Sequence, residues 1–352
     1  MVSDTIPIRK GEEVDIARIE NYIRAHIPDL PSEPLTIEQF SAGRSNLTYQ
    51  LKIGNWEAVL RRPPIGPVAP KAHDMKREFT ILQEIQPLYK PAPKPYLFGD
   101  ETIIGSPFFI MERKHGVLLD THFPPHIKIT DSKCRHLSEV MVDQLVELHG
   151  INYKATNLAN MTRPIGFMER QVQGWIGRYD KSRTDEIPQV EDLKKWMIDH
   201  IPKKSDISII HYDFKLNNAM FTEDLTEMIG LFDWEMTTVG DPLADLGVAM
   251  SYWIEEKDSD LLKRGMGKAP ITTNPGFMSR NEFIQSYAEK SGRDVSNIDF
   301  YMTFSYFKLA VICQQIYYRF KKGQTQDRRF ENFNLFVNNL IQYAHEAAIS
   351  QR

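Results

Sequence analysis

Two short stretches hold most of the residues that could do chemistry. One is HYDFKLNN, residues 211–218, which follows the apolar run Ile207, Ser208, Ile209, Ile210. The other is MIGLFDWE, residues 228–235. In each, a short apolar strand pattern runs into an aspartate, Asp213 in the first and Asp233 in the second. Aspartate and asparagine are poor strand formers, so either cluster alone could be turn punctuation, with His211 a satisfied core histidine. The pair, in this order and at this spacing, favours chemistry. A hairpin-like excursion of two strands would bring both acids to one edge, with Asn218 on the intervening loop. Two acids and an amide oxygen suit a hard cation such as magnesium, whereas zinc would call for nitrogen and sulfur. Asp233 would supply charge to the metal and Asn218 a neutral oxygen. Asp213 is then left to orient a substrate hydroxyl and accept its proton late in phosphoryl transfer.

The first third of the chain supplies parts that match. In FSAGRSNLTYQL, residues 40–51, Ser41, Gly43, Ser45 and Asn46 sit between two strand patterns. Such a loop can bring backbone N–H groups close to phosphates, and a glycine turn in a hairpin explains it equally well. WEAVLRR places Arg61 at the end of the next strand, on the side of Val59. There a guanidinium could grip phosphate oxygens with two parallel bonds, or simply stand exposed on an edge. KREFTILQEI puts Glu78 on a different helix face from Phe79 and Leu82, where it could pair with Arg61 or face solvent.

These residues need elements to position them. Apolar spacing predicts an amphipathic helix over 12–27 and strands over 47–53 and 56–60, joined by Gly54-Asn55. A helix over 71–86 and a buried strand over 107–112 follow. Beyond Gly116 the pattern is mainly helical, with candidates at 133–149, 166–180, 189–200, 241–256, 280–291, 298–321 and 328–348. Short strands at 207–211, 219–222 and 228–232 are embedded among them. The outline is a small sheet-rich lobe, residues 1–112, followed by a larger, mostly helical lobe, residues 113–352.

Composition narrows the class. The chain has 352 residues, 41% of them hydrophobic and 26% charged, enough for a sizeable core and two lobes. A net charge of -4 gives no general electrostatic case for nucleic acid or an anionic membrane. The two cysteines, Cys134 and Cys313, cannot build a disulfide framework or a multi-cysteine metal site. The N-terminal stretch lacks the apolar core of a signal peptide, and no run is long enough to span a bilayer. The expectation is a soluble, cytoplasmic protein.

Taken in order, these pieces resemble the aminoglycoside phosphotransferase and choline kinase group of small-molecule kinases, relatives of the protein kinases. The resemblance rests on HYDFKLNN, FDWEMTTVGDPLADLG, AVLRRPP with the following REF helix, and the FSAGRSNLTY loop, and runs from about residue 35 to the end. It implies an α+β, bilobal protein-kinase-like fold and the use of ATP and Mg2+. By that similarity Asp213 looks like the catalytic base and His211 a support of its loop. Asn218 and Asp233 look like magnesium ligands, Arg61 the phosphate-binding cation and Glu78 its helix partner. Ile110, Met111, Glu112 and Arg113 would form the hinge whose backbone receives adenine. Asp241 reads as a helix N-cap before Pro242, and Asp245 would brace the same region.

Two departures stand out. Tyr212 occupies a place where the group commonly has glycine, and Arg61 replaces a lysine, which binds phosphate differently. Arginine at that place recurs in one branch, resembling the kinase-like domain fused to some acyl-CoA dehydrogenases. That likeness implies phosphorylation of a hydroxyacyl-CoA hydroxyl, with the 4-position as the expected site. The acceptor is thus a small molecule, a CoA thioester among the candidates. Tyr317, Arg319, Lys321 and Lys322, at the end of a long amphipathic helix, could line its pocket or belong to the core and its rim. A choline or aminoglycoside kinase is the first alternative. It would need an acidic pocket, for which Glu255, Glu256, Asp258 and Asp260 are the available run. A nucleotide-binding pseudokinase scaffold is the second, and only Arg61 points to it.

Overall fold

Six antiparallel strands organise the beginning of the chain in a computed structural model, which describes residues 4–41, 46–66, 73–204, 206–265 and 267–349. The elements in order are β1 (Thr5–Ile6), α1 (Ile16–His26), β2 (Thr36–Phe40), β3 (Leu47–Ile53), β4 (Trp56–Arg62), α2 (Met75–Ile85), β5 (Pro95–Gly99), α3 (Glu101–Ile104) and β6 (Phe108–Glu112). Across the sheet the strands run β1-β2-β3-β4-β6-β5. The β3–β4 hairpin turns at Gly54, whose φ of +55° lies in the region that costs glycine little. Its register pairs Tyr49 with Leu60 and Thr48 with Arg61.

The two faces of this sheet carry different cargo. Tyr49, Leu51 and Ile53 alternate inward on β3 and join Ala58, Leu60, Phe108 and Ile110 beneath Ile19 and Ile23 of α1. Residues of the opposite parity on β4 and β6, among them Arg61 and Phe109, face the side of α2, where the Phe79 ring lies tilted 6.2 Å from that of Phe109. Asp74 caps α2 by accepting from the Arg77 N–H. Because β4 is buried on both faces, Arg61 is a buried cation rather than an edge residue, only 9% exposed. The strands expected at 47–53 and 107–112 are present, whereas β5 (Pro95–Gly99) was not expected. Contacts divide the chain into two compact units, Met1–Gly116 with Ile229–Glu235, and Val117–Met228 with Met236–Arg352.

The second unit comprises β7 (Val117–Leu118), α4 (Asp131–Gly150), α5 (Leu158–Met161), α6 (Phe167–Ser182), α7 (Gln189–Asp199), β8 (Ser208–Ile210) and β9 (Ala219–Phe221). After β10 (Met228–Leu231) come β11 (Thr238–Gly240), α8 (Pro242–Tyr252), α9 (Asp260–Arg264), α10 (Arg280–Ser291), α11 (Ile298–Lys321) and α12 (Phe333–Ile349). α11 is buried nearly all round, as a helix at the centre of a bundle must be. α8 approaches it closely at Gly247, where a Cβ would lie 2.8 Å from the Tyr301 carbonyl oxygen. β8 pairs with β11 and β7 with β9, each antiparallel. Strand β11 was not expected, and the helix expected over 328–348 begins at Phe333, after a single 3-10 turn at Arg328–Phe330. Among the described residues no helix is long and apolar enough to cross a membrane.

Candidate active site

In the first unit the predicted cation and two of the predicted acids meet. Arg61 Nε lies 3.2 Å from Glu78 Oε2, and its Nη2 donates to Asp233 Oδ1 at 2.5 Å. A third acid, Glu235, comes within 3.9 Å of the same nitrogen. Asp233 reaches this position from a left-handed backbone, φ +72°, in the Ile229–Glu235 return. Burial alone would favour the neutral form of Arg61, but Glu78, Asp233 and Glu235 together hold it firmly charged. One guanidinium cannot satisfy three carboxylates. Burial first, then the neighbouring charges of Asp233 and Glu235, push Glu78 up to about 7 despite Arg61. Glu78 is 2% exposed, so the solvated alternative for it does not hold.

The end of the 40–51 segment is tied to the same cluster. Asn46 donates from Nδ2 to Glu235 Oε2 at 3.2 Å and accepts from His73 Nδ1 at 2.7 Å. Arg77 donates to the Glu235 carbonyl at 2.7 Å. At the other end Ser41 donates both its N–H and its hydroxyl to the Asp4 carbonyl, each at 3.1 Å. Gly43 and Ser45, predicted between them, lie outside the described residues. On β6 Met111 is buried, and the Glu112 N–H already donates to the Lys94 carbonyl at 2.8 Å. Arg113 spends its side chain on Asp4 and Glu57 and on the face of Phe40.

In the second unit, the loop after β8 is held largely through its backbone. Asp245, fully buried on α8, accepts from the His211 N–H at 2.7 Å and the Tyr212 N–H at 2.8 Å. Burial alone would raise its carboxyl. The bond from His149 and the N–H of His211 outweigh that and hold it below the ordinary range. His149 is pushed down by burial, hence neutral; its Nε2–H donates to Asp245 Oδ2 and its Nδ1 accepts from the Tyr287 hydroxyl. His211 Nδ1 accepts from the Asp213 N–H at 3.3 Å. Asp241 caps α8 and accepts from the Tyr301 hydroxyl at 2.6 Å.

This scaffold presents Asp213 and Asn218 together. Asn218 Nδ2 donates to Asp213 Oδ2 at 2.9 Å and to its carbonyl at 3.0 Å. Lys215 Nζ bridges both carboxylate oxygens, at 3.1 and 2.9 Å. Lys215 received no role from the motif, although it stands inside HYDFKLNN two residues after Asp213. Glu235 was likewise passed over within FDWE. Lys308 was missed as well; its signal was a lone lysine inside the apolar run YFKLAVIC.

Known proteins resemble this chain in sequence and in fold. A family model described as the phosphotransferase enzyme family matches residues 36–274. Acyl-CoA dehydrogenase family member 11 of Rattus norvegicus is 31% identical over 91% of this chain and 41% of its own length. Family member 10 of Mus musculus is 29% identical over 99% of this chain and 33% of its own. The chain therefore spans between a third and a half of the curated relatives it matches. Among solved structures, a provisionally assigned aminoglycoside phosphotransferase from Ralstonia eutropha is 27% identical, with TM-score 0.81 over 96% of this chain and 99% of that one. A choline kinase from Cryptosporidium parvum aligns with TM-score 0.64 over 96% and 97% of the two chains. At 16% identity it speaks for the fold alone. The fold is protein-kinase-like.

Proposed function

This chain belongs to the phosphotransferase enzyme family, and from that premise we propose an ATP- and magnesium-dependent kinase acting on the hydroxyl of a hydroxyacyl-CoA. The observation that carries the reading is the placement of Asp213. Its carboxylate is held by Lys215 and Asn218 on a loop whose peptide N–H groups are clamped by buried Asp245.

In this reading Asp213 accepts the acceptor's hydroxyl proton as the oxygen bonds to the terminal phosphorus and the bond to the bridging oxygen of the ADP leaving group breaks. Lys215 and Arg61 offset charge on the phosphate oxygens. Asn46 would meet those phosphates from the end of its loop, and Glu78 orients Arg61. Adenine meets the backbone of Met111, Glu112 and Arg113. Since the Glu112 N–H is taken by Lys94, the donor falls to Arg113. Magnesium, when bound, would neutralise charge between the outer phosphates. Asp233 and Asn218 would hold it, a donor set of oxygens that fits this ion. Both bonds given by the Asn218 side chain leave from Nδ2, so its carbonyl oxygen is the end that serves a cation. Residues 1–112 thus act mainly on the nucleotide, and residues 113–352 carry the catalytic loop, the metal ligands and the acceptor side, in the cytoplasm.

Charge supports an anionic acceptor over a polycation. In the acidic run, Glu255 and Asp258 are buried and tied to Arg280, at 3.6 and 2.6 Å. They form an internal ion-pair network, not a receptive acidic pocket. The unit that carries Asp213 instead sets Lys215, Lys308 and Arg178 nearby, the last stacked 4.5 Å from Trp175. The curated relatives carry acyl-CoA dehydrogenase names, which favours a CoA ester. The test is magnesium-dependent ADP release from ATP over a panel of 3- and 4-hydroxyacyl-CoA esters, choline and aminoglycosides, with Asp213→Ala as blank. Turnover of one hydroxyacyl-CoA, lost in the variant, is expected. Turnover with choline or an aminoglycoside alone would overturn the acceptor.

A further inference from the structure

Tyr212 stands in a left-handed backbone conformation, φ +65°. That region is open to glycine and costly for a side chain with a Cβ, and a bulky aromatic there must be held by its surroundings. Asp245 accounts for the amide on one side of the residue. The carbonyl on the other side accepts from Lys308 Nζ at 3.0 Å. The same ammonium sits 3.7 Å over the Tyr212 ring, and the phenol donates to Gln171 Oε1 at 3.1 Å.

Lys308 itself is an unusual choice for this place. It lies on α11, 4% exposed, and no carboxylate pairs with it within 4 Å among the described residues. The charged groups that face it are Asp213, Asp245, Lys215 and Arg178. Burial is the dominant influence and brings its ammonium down to about 8. A buried lysine without an ion pair is expensive, and methionine or leucine would pack the same helix without that cost. What lysine adds here is a donor aimed at one carbonyl, in the peptide that leads directly into Asp213.

We propose that Lys308 is a positioning residue: it locks the Tyr212–Asp213 peptide in the left-handed turn, and so sets where the Asp213 carboxylate stands. Tyr212 is then fixed on both sides, by Asp245 at its own N–H and by Lys308 at its C=O, while the N–H of the Tyr212–Asp213 peptide donates to His211 Nδ1. The kinetic side of this claim rests on the function proposed above; the backbone lock does not.

The test separates the lock from simple side-chain contact. Tyr212→Ala removes the ring but still requires a strained backbone, whereas Tyr212→Gly removes the ring and the strain together. Lys308→Met is combined with Tyr212, Tyr212→Ala and Tyr212→Gly, and kcat and KM are measured for the full chain with the best acceptor of the panel. With Tyr or Ala at 212, Lys308→Met should lower kcat by about 10- to 100-fold, the scale of a misplaced catalytic group, with KM for ATP unchanged. With Gly at 212 the loss should fall below about threefold, because no strained turn is left to hold. Lys308→Gln, which keeps an N–H donor without the charge, should retain most of the rate.

Equal losses in the three backgrounds, or a change in KM alone, would overturn the proposal. Urea unfolding of the same chains gives a readout independent of any acceptor, and the shift caused by Lys308→Met should again shrink only with Gly. A wild-type enzyme silent toward every acceptor would refute the proposed function. The urea series would then decide the lock unaided, and equal shifts would overturn it.

Discussion

The cluster around Arg61 and the loop around Asp213 are built on opposite plans. Around Arg61 the ordering is done by side chains: one guanidinium is shared among Glu78, Asp233 and Glu235, and Asn46 and His73 fasten on at the edge. Around Asp213 it is done through the backbone, with Asp245 and Lys308 holding successive peptide groups. A cluster of competing side chains can exchange partners when a polyanion and a cation arrive. A clamped backbone cannot, and it keeps one carboxylate in one place. The first plan suits a nucleotide grip, the second a residue whose position limits the rate.

The contrast makes predictions. Asp245→Ala should have the largest effect on folding, roughly 3–5 kcal/mol by urea unfolding, because two buried N–H groups and His149 lose their acceptor together. Its carboxyl is held below the ordinary range in the fold, so its stabilisation is present above the unfolded pKa and lost as pH falls. The penalty of the substitution should therefore shrink below about pH 4. A penalty that is flat with pH would mean that the charged form contributes nothing.

Glu78 should behave in the opposite sense. Its folded pKa is raised, to about 7, so the fold favours its protonated form. The associated stability is complete below the unfolded pKa and lost as pH rises through about 7. Wild-type chain should lose on the order of 2 kcal/mol over that interval relative to Glu78→Gln, which cannot titrate. Parallel pH profiles for the two chains would show that Arg61 fully compensates Glu78.

How much of this was legible beforehand follows from which contacts are local. Asp213, Asn218 and Asp233 could be singled out because strand patterns run into them, a signal confined to eight residues in each case. Helix limits were close where caps exist: Asp74 starts α2, and Ser279 with Glu282 forms a capping box for α10. The burial of Glu78 was readable from its helix, because it shares one buried face with Met75, Leu82 and Ile85, against the expectation that set it apart from Leu82. What the helix could not tell is its charge partners, Arg61 on a neighbouring strand and Asp233 far along the chain. The acidic run around Glu255 misled for the same reason, because its partner Arg280 lies on another helix. Strand β11 has three residues and becomes a strand only beside β8. Tyr212 was noted as a departure, but its φ and the lysine that supports it belong to tertiary structure alone.

The division of labour is tested most directly by ATP affinity, measured by calorimetry with magnesium present, for wild type, Arg61→Met and Asp213→Asn. The account predicts that Asp213→Asn binds ATP within about twofold of wild type while turning over at least 100-fold more slowly, as expected for a base that acts on the acceptor. Arg61→Met should weaken ATP by about tenfold or more, having lost a charge-assisted phosphate contact. ATP bound normally by Arg61→Met but weakly by Asp213→Asn would contradict the account.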